Sequence, residues 1–523
     1  MRLIHNCNYC NKQLIEVNRT SLLGAEGDYV EYKCGHAYVH AKTKSYNERE
    51  LDFTSVDGTK SLRGYQEDGA RFMLEGNLNS ILSYQMRLGK TPTTLVTLRE
   101  ALKSGLDVTP CLILVRSANL YQWIREIRTW FDDSMLAVWP IPNSKTPILP
   151  GFKCYIVSMD SIRLDAIYNV LRELGIKCVI ADEAHSFKNP SSSRSQSLVK
   201  LCTECNIPHH ILLTGTPIKN RADEYFVPLN LVAPEQFPSL EKFRRNWLVS
   251  DDKGHYSRVA PYAMEAFKEK ISPYVLRKEK EDVYNDLPLI NRIFTVIPIE
   301  DNRLKKLYNA ELDKMEAKVE MGLTGSKALM DNIMILRRIC GMAKVPWLLD
   351  YMEVFGEENE SDSAKLAIGI HHKGVRDTLY ESMNGLSSNV LELSGEDNAS
   401  QKDRIMRLFA EPRYKYLILN MLAGGVGMDF HYCHNVVVAE RQWNSADEEQ
   451  FEFRFYNPDR EIMGDNNLQV EYVIADKTID SFFYDLVEEK RSIFNDLVSN
   501  HVDIVNNPDN FKQLLERTLS SRL

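Results

Sequence analysis

The residues with the clearest chemical potential are Gly89-Lys90-Thr91, which stand between an apolar stretch (Ile81-Leu82) and a helical pattern of Thr94, Leu95, Leu98, Ala101 and Leu102. A strand, a loop and a helix in that order suit phosphate binding. Backbone N–H groups at the helix start meet phosphate oxygens, the lysine meets the β- and γ-phosphates, and the threonine hydroxyl reaches a magnesium ion. A second group, Val179-Ile180-Ala181-Asp182-Glu183-Ala184-His185, sets two adjacent carboxylates at the end of an apolar strand. Phosphoryl transfer needs a carboxylate to hold hydrated magnesium, the role of Asp182, and a group to orient the attacking water, the role of Glu183. A solvated acidic strand end would explain Asp-Glu alone, but not its place after Gly-Lys-Thr. A third group, Leu212-Leu213-Thr214-Gly215-Thr216-Pro217, is a strand running into a tight turn with two hydroxyls.

Elements that could position these groups are legible as periodicities. Strands are predicted at Cys111–Val115, Cys154–Ser158, Cys178–Ala181 and His210–Thr214, with helical patterns between them, so residues from about Leu62 to Pro288 read as a parallel sheet flanked by helices. Leu304, Leu307, Tyr308, Leu312 and Met315, then Met330, Ile333, Met334 and Arg337, recur at helical spacing and predict a connector. Strands alternate with helices again at Ala367–His371, Val390–Ser394, Tyr416–Asn420, Val436–Ala439 and Gln469–Ile474. Glu357–Ser363 is polar and predicts an exposed loop.

The chain's 523 residues allow about three or four domains. With 44% hydrophobic and 26% charged residues, a mainly disordered chain is excluded. No apolar run approaches the ~18 residues of a membrane span, and the N-terminus lacks the apolar core of a signal peptide. We therefore expect a cytoplasmic, intracellular protein with no membrane partner. Ten cysteines are too few for a disulfide scaffold at this length. The net charge of −9 argues against a uniformly basic surface while permitting a local basic groove.

Residues 1–52 are too few for a core of their own. Cys7 and Cys10, then Cys34 and His36 (with His40 and His5 as less favoured substitutes), form two knuckles with the spacing of a tetrahedral Zn2+ site. They predict a small zinc-binding module that guides DNA or binds a protein partner. A second pair, Cys202 and Cys205 with His209 and His210, falls where a helix end and a strand are needed and is read as structural.

Taken in order, these groups resemble helicase superfamily 2, in its Swi/Snf-like branch of double-stranded DNA translocases, over roughly residues 60–495. Leu62-Arg63-Gly64-Tyr65-Gln66 resembles the adenine-recognising entry motif, with Gln66 as the base reader. Leu112–Trp130, with Arg116, Trp123 and Glu126, resembles the motif whose strand end faces the DNA backbone. Asp182–Asn189 is similar to the branch's magnesium motif, and Thr214–Asn220 to its coupling motif. Tyr274–Lys278 followed by Leu287-Pro288 resembles the end of the first lobe, and Leu336–Cys340 its connector helix. Lys365–His371, Leu393–Gly395, Ala423–Phe430 and Gln450–Arg454 resemble second-lobe segments. Two departures stand out. Arg87 occupies the position of a loop glycine, and Asn457 that of a second arginine, three residues after Arg454.

The resemblance implies an α/β fold of two RecA-like parallel-sheet lobes joined by a helical connector. The expected divisions are a zinc-finger-like module over 1–52, a first lobe over 53–290, a connector over 291–345, a second lobe over 346–500 and a tail over 501–523. It implies ATP and Mg2+ as cofactors, with Gln66, Gly89, Lys90, Thr91, Gly427, Asp429, Gln450, Arg454 and Arg460 around the nucleotide. Thr91 and Asp182 would hold magnesium, and Lys90, Asp182, Glu183 and Arg454 would carry catalysis. His185, Thr214 and Thr216 would couple the lobes. Arg116, Ser117, Ser158, Lys219, Lys373, Asn420, Gly424 and Gly425 would grip nucleic-acid phosphates rather than base edges. The expected activity is ATP-driven movement on duplex or branched DNA by a compact member of viral or prokaryotic type. The alternatives are an RNA-dependent ATPase and a DNA-binding adaptor with a decayed catalytic core.

Overall fold

The computed structural model describes residues 50–132, 134–215, 222–250, 256, 258–322, 326–359, 363–384, 389–421, 428–442, 445–464, 466–484 and 516–523, and three short strands before them. Those strands, β1 (Glu16–Ser21), β2 (Gly27–Tyr32) and β3 (Ala37–Ala41), form an antiparallel sheet. The expected zinc ligands Cys7, Cys10, Cys34 and His36 lie outside the described residues. Among the described residues no group of three or more His, Cys, Asp or Glu side chains could hold a metal ion. Cys202 is buried in the core, and His209 Nδ1 lies 2.9 Å from the Asn77 carbonyl oxygen, so that cluster is structural as expected.

The first lobe is built on β4 (Asn79–Tyr84), β5 (Cys111–Val115), β6 (Val138–Ile141), β7 (Cys154–Ser158), β8 (Cys178–Ala181) and β9 (His209–Leu213). A small antiparallel pair, β10 (Leu248–Val249) and β11 (Arg258–Val259), precedes the seventh strand, β12 (Val275–Lys278). The all-parallel order is β12-β4-β9-β8-β5-β7-β6. Helices cover both faces, so central strands are apolar throughout. Leu112 and Leu114 join the core on one face, and Cys111, Ile113 and Val115 the core on the other. Pro140 is tolerated because β6 is an edge strand.

The second lobe has six parallel strands in the order β13-β18-β17-β14-β16-β15. They are β13 (Ile290–Ile297), β14 (Leu366–Ile370), β15 (Val390–Leu393), β16 (Tyr416–Asn420), β17 (Asn435–Val438) and β18 (Leu468–Ala475). The sequence assigns residues 291–297 to the start of the connector and Ile290 to the end of the first lobe. Instead Ile290–Ile297 pairs along its whole length with β18, as the edge strand of the second sheet. Its half-exposed pattern lacks the solid apolar run that marks the central strands.

Two helices join the lobes. The first, Asn302–Glu320, starts at Asp301, whose side chain accepts the Arg303 N–H at 2.7 Å. It buries Tyr308, Leu312 and Met315 at helical spacing. The second, Ser326–Glu358, carries Pro346 and runs past residue 345 into part of the segment expected to be a loop. The chain's last residues pack on the first of these helices. Tyr308 Oη and Ser521 Oγ are 2.9 Å apart, and Arg522 reaches Asp313 and Glu316 at 2.7 and 2.6 Å.

Candidate nucleotide site between two lobes

The phosphate loop connects β4 to helix α1 (Lys90–Lys103), at the carboxyl edge of the sheet where open α/β folds bind ligands. Gly89 caps this helix at φ 73°, a left-handed backbone natural to glycine. A Cβ there would stand 2.1 Å from Gln66 Nε2, so a larger residue would have to displace that side chain as well as strain the backbone. Gln66 itself is buried, and its Nε2 donates to the Leu88 carbonyl at 3.2 Å, so it buttresses the loop in addition to its expected role. Lys90 Nζ donates to the Tyr84 carbonyl at 2.9 Å. Burial lowers the proton affinity of Lys90, against the opposing pull of Glu183 and Asp182 nearby. Thr91 follows in the first helical turn.

Asp182 and Glu183 leave the end of β8, both buried. Trp123 Nε1 donates to Asp182 Oδ2 at 3.0 Å, and the Glu183 N–H donates to Asp182 Oδ1 at 2.9 Å. Burial and the neighbouring Glu183 charge still raise the proton affinity of Asp182. Burial acts on Glu183 in the same sense, but His185, Lys90 and Arg116 together outweigh it and hold Glu183 ionised. His185 Nδ1 lies 3.0 Å from Glu183 Oε2, and Arg116 Nη2 is 3.4 Å from His185 Nε2. The two carboxylates of one dipeptide are thus pushed in opposite directions, a pattern found where groups take different chemical roles. Thr214 is buried at the end of β9, and a Cβ on Gly215 would lie 3.6 Å from Lys90 Nζ, so the segment expected to couple the lobes abuts the loop that carries Lys90. Thr216 and Lys219 lie outside the described residues.

The second lobe presents residues 453–460 to this loop. Helix Ser445–Glu452, which carries Gln450, is anchored by buried ion pairs. Glu448 takes Arg441 Nε and Nη2 at 3.0 and 2.7 Å, and Glu452 takes Arg292 at 2.7 and 2.6 Å. Arg454 follows. It is buried, its Nη1 donates to the Met421 carbonyl at 3.0 Å, and its Nε has no hydrogen-bond partner among the described residues. Burial, Arg116 and Arg87 push its proton affinity down to about 9. A buried guanidinium beside other cations favours a neighbouring negative charge.

The first lobe holds residues 453–460 at several points. Arg63 pairs with Asp459. Lys280 Nζ sits 3.4 Å from the Phe453 ring centroid and 4.9 Å from that of Tyr456. Arg87 Nε donates to the Phe453 carbonyl at 2.7 Å, Nη2 to the Arg454 carbonyl at 2.8 Å, and Nη1 lies 2.9 Å from Asp429 Oδ2. Arg460 is engaged elsewhere, by Asp286 at 3.3 Å and by the carbonyls of Leu287, Gly464 and Asn466 at 3.3–3.4 Å. Asn457 Oδ1 accepts the Asp459 N–H at 3.0 Å and shapes the turn.

The expected nucleic-acid contacts that are described follow strand ends in both lobes: Arg116 and Ser117 after β5, Ser158 at the end of β7, Asn420 at the end of β16 and Lys373 after β14. Asn420 Nδ2 donates to the His371 carbonyl at 2.8 Å, and Lys373 pairs with Glu396 at 2.7 Å. Gly424, Gly425 and Gly427 lie outside the described residues. Trp123, Lys280 and Arg63 were not assigned to the nucleotide site from sequence. Their partners are 59 to 396 residues away, and no spacing rule connects them.

A model of the SNF2-related domain matches residues 65–345. The chain belongs to the SNF2-related family. A probable ATP-dependent DNA helicase, CHR12 of Arabidopsis thaliana, is 26% identical over 458 residues, covering 80% of this chain. The DNA annealing helicase and endonuclease ZRANB3 of Mus musculus is 24% identical over 464 residues, covering 85%. The chain spans 41% of the length of each relative. A solved Sulfolobus solfataricus SWI2/SNF2 ATPase core in complex with dsDNA is similar at 22% identity and a TM-score of 0.41, covering 90% of this chain and 99% of that one. None of these is viral, so the expected viral type finds no support among them. No helix among the described residues is long and apolar enough to cross a membrane.

Proposed function

We propose that this SNF2-related chain is a DNA-dependent ATPase that converts ATP hydrolysis into movement on duplex or branched DNA. The observation that carries the reading is Arg454: a buried guanidinium whose Nε has no partner among the described residues, on a second-lobe segment hydrogen-bonded to the phosphate loop of the first. That arrangement suits a triphosphate held by one lobe and sensed by the other. Intact Lys90, Asp182 and Glu183 count against a decayed adaptor.

In this reading Lys90 and the helix N-terminus bind the phosphates, and Glu183, ionised and oriented by His185, positions the attacking water. Arg454 neutralises charge that develops on the γ-phosphate, a contribution worth ~10³ or more in rate. Asp182 and Thr91 would hold magnesium, which when bound neutralises phosphate charge and relieves the Asp182–Glu183 repulsion. Arg460 has no part in this set, since its contacts are to residues 286–287 and to its own turn. Docking and release of residues 453–460 would move the DNA-gripping strand ends of the two lobes against each other.

The DNA relatives named above favour DNA over RNA as the stimulating polymer. Zinc binding by Cys7, Cys10, Cys34 and His36, and a DNA or protein partner for that segment, remain part of the proposal on ligand spacing alone. Zinc content near one per chain is expected, and less than ~0.2 would remove it. The activity is tested by ATP hydrolysis with single-stranded, duplex, forked and four-way DNA and with RNA, using Lys90→Ala as control. Stimulation by duplex or branched DNA is expected. Stimulation by RNA alone, or no rate above the Lys90→Ala background, would reject it.

A further inference from the structure

Arg87 stands inside the phosphate loop with φ 71°, a backbone region that glycine occupies freely and arginine rarely. Non-glycine residues persist in such conformations when surrounding contacts over-determine them, and they cluster at functional sites. The contacts here all cross the cleft. The three guanidinium nitrogens engage the Phe453 carbonyl, the Arg454 carbonyl and the Asp429 carboxylate, 342 to 367 residues away in the chain. The side chain is 19% exposed, so these bonds are largely shielded from water. Two of them reach the backbone carbonyls of Phe453 and Arg454, the latter also accepting the Phe430 N–H of its own lobe at 2.7 Å.

The geometry points to Arg87 as an inter-lobe positioning residue: its planar fork ties the phosphate loop to the Arg454 backbone and so sets the docked arrangement in which Arg454 faces the nucleotide. This deepens the ATPase reading and rests on it. It also gives a reason for the neutral Asn457. The Asn457 side chain is spent on the local turn, while a second cation reaches the same segment from the opposite lobe. A fork suits two carbonyls and a carboxylate as a lysine's single point charge does not. Asp429 is in turn held ionised: burial opposes this, but Arg87 and His431 prevail.

The test compares wild type with Arg87→Gly and Arg87→Lys by steady-state ATP hydrolysis and by small-angle X-ray scattering of the nucleotide-free protein. Glycine takes this backbone conformation without strain, so Arg87→Gly is expected to fold with an undiminished melting temperature. For Arg87→Gly, kcat should fall about 10- to 100-fold while KM for ATP moves less than about threefold, because the loop amides, Lys90 and Thr91 are intact. Its radius of gyration should rise as the lobes undock. Arg87→Lys should recover less than about one third of the lost kcat. An Arg87→Gly enzyme with kcat within twofold of wild type would overturn the proposal. So would full rescue by lysine, or a loss confined to KM with an unchanged scattering profile, which would make Arg87 a plain phosphate ligand. If wild type itself hydrolyses no ATP, the ATPase reading fails, whereas the scattering comparison still tests the tether.

Discussion

The two sides of the cleft are built differently. On the first-lobe side the chemical groups are held by their own lobe: Lys90 by the Tyr84 carbonyl, Asp182 by Trp123, and Glu183 beside His185. On the second-lobe side, helix Ser445–Glu452 is locked by buried ion pairs, but residues 453–460 receive Arg63, Arg87, Lys280 and Asp286 from beyond the sheet of their own lobe. The first lobe can therefore keep its half of the site while open. The second half is anchored in its own lobe too, by the Met421 carbonyl on the Arg454 side chain and the Phe430 N–H on its carbonyl, and in the proposed reading docking completes its geometry. Such an asymmetry suits an enzyme whose hydrolysis must depend on lobe closure, because the prebuilt half lacks the charge that docking delivers.

Variants of each half sharpen that contrast. Glu183→Gln should lower kcat by ~10²–10⁴ while leaving nucleotide affinity and scattering profile unchanged, since only the water-orienting charge is lost. A comparable loss of nucleotide binding would show that this side is not prebuilt. Arg441→Ala strips the partner from buried Glu448 and should destabilise the second lobe by ~3–5 kcal/mol in denaturant unfolding. The first lobe's melting should stay in place, and a concerted shift of both lobes would mean that they do not fold separately.

The smallest effect concerns Lys280, whose ammonium burial pushes down from the ordinary 10.5 to about 7. Between those values the unfolded chain binds more protons than the native one. Stability attributable to this residue therefore rises with pH across about 7 to 10.5, by at most ~1.4 kcal/mol per pH unit. Lys280→Met should flatten that slope in unfolding curves between pH 7 and 9. An unaltered slope would mean that Lys280 titrates normally and is not enclosed by Phe453 and Tyr456.

The difference between the halves also governs what could be read from the chain. Central strands such as Cys111–Val115 and Tyr416–Asn420 announce themselves as unbroken apolar runs, because helices cover both faces of each sheet. Edge strands do not: Ile290–Ile297 is half exposed, and its pattern from residue 291 on reads as the start of the connector. Lys90, Asp182 and Glu183 were legible because short motifs at strand ends carry their own context. The docking contacts were not. Arg87 was visible only as a departure from glycine, and its partners at 429, 453 and 454 are fixed by the meeting of two lobes rather than by any local pattern. The resemblance implies Arg460 beside the nucleotide, whereas past the turn that Asn457 shapes it meets Asp286.

Single-turnover cleavage of ATP by Arg454→Ala, beside its affinity for a fluorescent nucleotide, tests most directly whether the two lobes share one reaction. A rate lower by ~10³ with affinity within a few-fold of wild type is the predicted result. Cleavage at the wild-type rate would mean that the first lobe works alone, and would contradict the account.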